Sequence, residues 1–153
     1  MWLNALIITA AAIIACIYFF SKKYLFVIEH IWLFQFYMFV YTTAFSVIGH
    51  NKAVEVTKQM TPYLTLRIVE IIIPMTILLF VDRWHALNSW IGRALAGLLC
   101  LGILFGFEAL AAYAHYAVIV NWAWWKSTLW WLSSILIVFV SQRLFRRFLK
   151  GVM

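Results

Sequence analysis

The stretch TPYLTLRIVEIIIPMTILLFV, residues 61–81, decides the class of this fold. Thr61 stands where an N-cap accepts an amide hydrogen bond, and Pro62 takes a first helical position, where a missing N–H costs nothing. Residues 62–81 then match the roughly 20 apolar residues that a helix needs to cross a hydrocarbon core of about 30 Å. Asp82-Arg83 stops the run.

The rest of the chain repeats this pattern. Residues 2–20 form a first apolar run, closed by Ser21-Lys22-Lys23, and residues 24–48 a second, ending at Gly49-His50-Asn51. Residues 91–120 and 122–142 supply two more. Of 153 residues 67% are hydrophobic and 11% charged, a composition that no soluble fold of this length absorbs. Backbone groups in lipid must be satisfied within the segment, and runs this long lack the alternation of a barrel. The expected fold is all-α: one transmembrane domain, 1–153, with five spanning helices and a basic amphipathic tail at 143–153.

Lys and Arg in short loops set the orientation. One set of ends carries Lys22, Lys23, Arg83, Arg93, Arg143, Arg146, Arg147 and Lys150; the other carries Lys52, Lys58 and Lys126. This bias places the N-terminus outside and the C-terminus in the cytoplasm. It also accounts for most of the +7 net charge without a nucleic-acid partner. In the tail QRLFRRFLK (142–150), Arg143, Arg146, Arg147 and Lys150 share one helical face, suited to anionic lipids at the cytoplasmic surface. Ile13-Ile14-Ala15-Cys16 has the form of a lipobox, but residues 1–10 lack the basic segment of a signal peptide, so the first run reads as a span. Cys16 and Cys100 are not part of a Cys-x-x-Cys pair, which argues against disulfide chemistry.

Small and polar residues mark helix contacts in lipid. Ala5, Thr9, Ala12 and Cys16 line up on the first run; Gln35, Thr42, Ser46 and Gly49 on the second; Gly102 and Gly106 on the fourth; Ser127, Ser134 and Ser141 on the fifth. Trp2, Trp122, Trp124, Trp125, Trp84 and Trp90 suit the two interfaces, whereas Trp130 and Trp131 lie deeper, against lipid or a partner.

Ionisable groups inside a span cost about 2.5–3.5 kcal/mol each on insertion scales, so they carry a reason to be there. Arg67 and Glu70 share one face of the third run, and Glu108 and His115, seven apart, share one face of the fourth. Arg67, Glu70 and Glu108 fall at similar depth in the outer half. Arg67 can pair with Glu108 or Glu70 and set the register of two helices. Alternatively, Glu108 or Glu70 holds a proton or cation in an outward-facing cavity with His115 as relay, or another subunit completes the site. The grip of Gly102/Gly106 on one side and Glu108/His115 on the other makes the fourth helix the expected centre. Glu29-His30 reads as headgroup-level. The four His do not favour haem, since His50 and His85 fall at span ends; no cofactor, metal site or catalytic constellation is expected.

Two segments, YLTLRIVEIIIP (63–74) and Phe107-Glu108 through Tyr113 to NWAWWKS (121–127) with its basic end, resemble in order and spacing a family of small, uncharacterised five-helix membrane proteins of spore-forming Firmicutes. Glu70 stands where that family leads one to expect Asp, with Pro74 one residue closer. The resemblance implies a bacterial cell membrane, a sporulation or envelope context, and nothing catalytic. The expected function is a non-enzymatic membrane subunit or accessory protein, working as a homo-oligomer or with another membrane subunit. The alternative is a small proton- or cation-coupled transporter or channel using Arg67, Glu70, Glu108 and His115.

Overall fold

The computed structural model describes residues 2–50, 54–56, 60–115, 117–119 and 123–152. Lys52, Lys58, Asn121 and Trp122 lie outside them, as do the side chains of Gly49, His50, Pro62 and Lys150. Five helices follow one another: α1 (Trp2–Phe20), α2 (Val27–His50), α3 (Met60–Ala86), α4 (Trp90–Tyr113) and α5 (Trp124–Val152). Two three-residue strands, β1 (Val54–Val56) and β2 (Ala117–Ile119), pair antiparallel with Glu55 opposite Val118. That pairing brings the α2–α3 and α4–α5 connections to one end of the bundle, the strand end. The α1–α2 loop and the last turns of α3 meet at the other, the basic end.

Among the described residues, four helical segments are long and apolar enough to cross a membrane: Trp2–Phe20, Tyr63–Ala86, Trp90–Tyr113 and Trp124–Leu149. Their outward faces carry bare leucines and aromatics, Leu98 and Leu99 on α4 and Leu136 on α5 among them. A continuous apolar exterior of this kind is stable against lipid and not against water. α2 carries Glu29, His30, Gln35, Tyr37 and Tyr41 along its length.

The centre of the bundle is α3, not α4. Helices α1, α2, α4 and α5 all pack on it, and 67% of its apolar segment is buried, against 17–28% for the segments of α1, α4 and α5. Ile77, Leu78 and Val81 of α3 meet Ile7 and Ala11 of α1, Leu33 and Tyr37 of α2, Leu104 of α4 and Val138 of α5 in one hydrophobic cluster. The small-residue rows divide. Ser127, Ser134 and Ser141 are buried on α5, as their spacing suggests. The other rows face outward. Ala5, Thr9, Ala12 and Cys16 are exposed while α1 buries Ile7, Ala11 and Tyr18. Gln35, Thr42 and Ser46 are exposed too, and the hydroxyls donate within their own helix, Thr42 to the Met38 carbonyl and Ser46 to that of Thr42, both at 2.8 Å. Such a hydroxyl needs no second helix. A Cβ at Gly102 or Gly106 would meet nothing within 4 Å. Small side chains permit close approach without requiring it.

Helix ends also differ from expectation. α3 starts at Met60, so Thr61 and Pro62 lie in its first turn, where proline is tolerated. α4 does not run to residue 120. It ends at Tyr113, because His115 adopts a left-handed φ of 56° just past the Ala114 cap. α5 does not stop at residue 142, and the basic tail is its direct continuation.

This packing predicts opposite outcomes for two enlargements. Gly102→Leu should leave stability in detergent within about 0.5 kcal/mol of the parent, as for an open surface site. Ala11→Leu, at a position 2% exposed against α3, should cost about 1–3 kcal/mol through overpacking. Thermal unfolding of the two variants checks both.

Candidate functional site: two buried polar clusters

Near the strand end, the third run's charges pair with each other. Arg67 Nη1 donates to Glu70 Oε2 at 2.5 Å, and its Nε and Nη2 donate to the Tyr63 hydroxyl at 3.0 and 2.8 Å. Residues i, i+3 and i+4 share a helical face, so this chain of contacts is local to α3. Glu70 is 5% exposed, and its Oε1 has no hydrogen-bond partner. Pro74 has no N–H to offer the Glu70 carbonyl one turn back.

Glu108 does not meet Arg67. Its carboxylate turns to α5, where Ser127 Oγ donates to Oε1 and Trp131 Nε1 donates to Oε2 at 2.8 Å. Trp131 therefore belongs to the interior, 4% exposed, rather than to lipid or a partner. Trp130 leans on Tyr41 with ring centroids 6.3 Å apart. His115 is exposed and sits beyond the end of α4, so the face it was expected to share with Glu108 does not exist. Of Arg67, Glu70, Glu108 and His115, the fold joins the first two directly, turns the third to α5, and leaves the fourth outside.

The denser cluster lies at the basic end, where the sequence reading set its members at the surface and did not pair them. Glu29 and His30 are buried among the helices. Glu29 takes the third position of α2, where its Oε2 accepts the Phe26 N–H at 3.0 Å and caps the helix. The same carboxylate receives a forked bond from Arg146 of α5, Nε to Oε1 at 2.5 Å and Nη2 to Oε2 at 3.1 Å. One of the tail cations thus points inward, whereas Arg143 and Arg147 remain exposed. Planar two-point pairing of this sort sets both distance and angle between two helices. Beside it, His85 Nε2 and Gln142 Oε1 are 3.0 Å apart, a second tie between α3 and α5.

Asp82, read as a span stop, is fully buried. Its Oδ1 accepts the backbone N–H groups of Tyr24 and Leu25 at 2.8 and 2.9 Å, which anchors the α1–α2 loop to α3. His30 Nε2 is 3.3 Å from the same oxygen, and His30 Nδ1 is 3.3 Å from the Tyr18 hydroxyl. A carboxylate only accepts, so Nε2 carries the proton and Tyr18 donates to Nδ1. The result is a Tyr18–His30–Asp82 chain linking α1, α2 and α3. Lys23 closes it, donating to the Tyr18 carbonyl with its ammonium 3.9 Å from the Tyr18 ring centroid. Burial lowers the Lys23 pKa and Arg83 adds to that, while Asp82 opposes.

The signal for this cluster was an acid three residues inside a helix start, a capping position, at Glu29. Asp82 gave no comparable sign, because an acid closing an apolar run is an ordinary boundary. Among the described residues no group of three His, Cys, Asp or Glu could hold a metal ion. No protein-family model, curated protein or solved structure matches the chain.

If Asp82 holds the loop as described, Asp82→Ala removes the acceptor from two backbone amides and His30. Each buried donor left unmade costs about 1–3 kcal/mol, so the variant should melt well below the parent. Asp82→Asn keeps an oxygen at that position and should recover most of the loss. Equal melting of the alanine variant and the parent would refute the anchor.

Proposed function

We propose that this chain is a non-enzymatic integral membrane subunit or accessory protein of a bacterial cell membrane. It crosses five times, with the N-terminus outside and the C-terminus in the cytoplasm. The observation that carries the reading is the use to which the acids between the helices are put. Glu29 fastens α2 to α5, Asp82 fastens the α1–α2 loop and α2 to α3, and Glu108 fastens α4 to α5. Carboxylates whose bonds run to neighbouring helices hold a fold; those that carry ions must exchange partners.

α2 supplies the fifth crossing. It starts at the basic end beside Arg146 and finishes at the strand end beside β1, and its 24 residues make a helix of about 36 Å. The cations near its first turn, Lys22, Lys23 and Arg83, support a cytoplasmic basic end under the positive-inside rule. The bacterial setting follows from the resemblance of residues 63–74 and 107–127 to the small Firmicutes membrane proteins.

A small proton- or cation-coupled transporter is the second reading, and the unpartnered Oε1 of buried Glu70 favours it. Flux into proteoliposomes separates the two. Under the leading reading, vesicles with the protein conduct protons and cations no faster than empty ones. Glu108→Gln, whose side chain offers one acceptor oxygen in place of two, lowers the melting temperature and weakens assembly in gentle detergent. Flux that Glu108→Gln abolishes while the fold survives would reverse the assignment.

Orientation has its own test. A cysteine replacing Lys22, in an otherwise cysteine-free chain, should react with a membrane-impermeant maleimide only after cells are permeabilised. A cysteine at Lys58 should react in intact cells.

A further inference from the structure

α1 and α2 are joined by a loop of six residues, yet each packs mainly on α3 and they barely touch one another. They diverge around it and leave a cleft of about 330 Å³ whose lining includes Met75 of α3. That volume falls within the span of small-molecule sites, about 300–1,000 Å³. One wall is the α2 row Val27, Ile31, Phe34 and Gln35, which shares a helical face; Phe19 of α1 stands across from it. Phe19 is 66% and Ile31 50% exposed, so the cleft opens sideways onto the lipid-facing surface rather than into the bundle.

Its polar end lies at the level of the loop, where Tyr18, Lys23 and His30 meet. Lys23 lies there on the Tyr18 ring, and beside the cleft in the same loop Lys22 and Arg83 stand 5.7 and 5.9 Å from the Tyr24 ring centroid. The acids nearby offset only part of that charge: Glu29 is paired with Arg146, and Asp82 stands alone against the three cations. A mouth with surplus positive charge at headgroup level, continuous with an apolar trough that opens toward acyl chains, matches one kind of molecule. Basic pockets between spanning helices on the cytoplasmic side hold anionic headgroups by the same logic.

We propose that this cleft is a binding site for one anionic phospholipid. Its phosphate sits against Lys22 and Lys23, and one acyl chain runs along Phe19 and Ile31 over Met75. Gln35, a turn beyond Ile31, offers its amide to an ester carbonyl. That the lipid comes from the cytoplasmic leaflet rests on the orientation proposed above; the binding chemistry does not.

The test is native mass spectrometry of the full chain in detergent, titrated with phosphatidylglycerol or phosphatidylcholine of matched acyl chains. The parent should retain one phosphatidylglycerol in clear preference to phosphatidylcholine. Replacing both Lys22 and Lys23 by Gln should weaken phosphatidylglycerol roughly 30-fold, about a fivefold loss per cation, and bring it near the neutral lipid. Ile31→Trp fills the trough at a half-exposed position and should displace both lipids with the fold intact by circular dichroism. Soluble glycerol phosphate should not compete. Equal retention by the parent and the double lysine variant, no preference between the two lipids, or displacement by glycerol phosphate alone would each overturn the site. Because the titration is in detergent, a wrong orientation would show in maleimide labelling and leave these outcomes unchanged.

Discussion

A fully buried carboxylate at the end of the central helix is the constraint on which the rest depends. Asp82 is shielded from solvent, so its charge must be met by donors of the protein itself. Two of those donors are backbone amides of the α1–α2 loop and the third is His30. Meeting that requirement draws the loop, the end of α1 and the first turns of α2 onto α3. Glu29 and Arg146 extend the knot to α5. The bundle is therefore held at the basic end by directional bonds and along its length by apolar packing around α3.

This division suits the solvent. In lipid, apolar faces gain little by meeting one another, so hydrophobic side chains alone do not choose which helix lies beside which. Hydrogen bonds between buried groups do choose. Glu108 with Ser127 and Trp131 performs for α4 and α5 what Asp82 performs at the opposite end. Arg67 and Glu70 are different, since both sit on α3 and their pairing brings in no second helix. Of the buried acids described, Glu70 and Asp82 each keep one oxygen without a hydrogen-bond partner.

The outward rows follow from the same balance. Thr42 and Ser46 satisfy their hydroxyls on their own helix, and Gly102 and Gly106 present bare backbone to the exterior. With interhelical positions decided by charged and indole groups, these rows were free to face lipid. The α1–α2 cleft has a related origin. Two helices tethered by a short loop but each drawn to α3 separate as they run along it, and the space between them opens to the membrane.

The run at 62–81, its four companions and their basic punctuation were enough to establish an all-helical membrane class. A hydrocarbon solvent demands that length and that composition, whatever the partners, and the first run coincides with α1. The row Ser127, Ser134, Ser141 was legible for a similar reason, since heptad spacing on one helix is a local property. What the chain could not disclose was contact between distant elements. Glu108 was visible as a charge inside a span, but its partners Ser127 and Trp131 depend on how α4 and α5 cross. Asp82 and Arg146 read as a stop and a surface anchor, because nothing near them in sequence marks the loop or the Glu29 that each would meet. His115 left its expected face through one left-handed residue, a backbone choice that periodicity does not register. Local solvent preference is written along the chain; the pairing of buried charges exists only once the helices have packed, because each partner lies many residues away and becomes a neighbour through the fold.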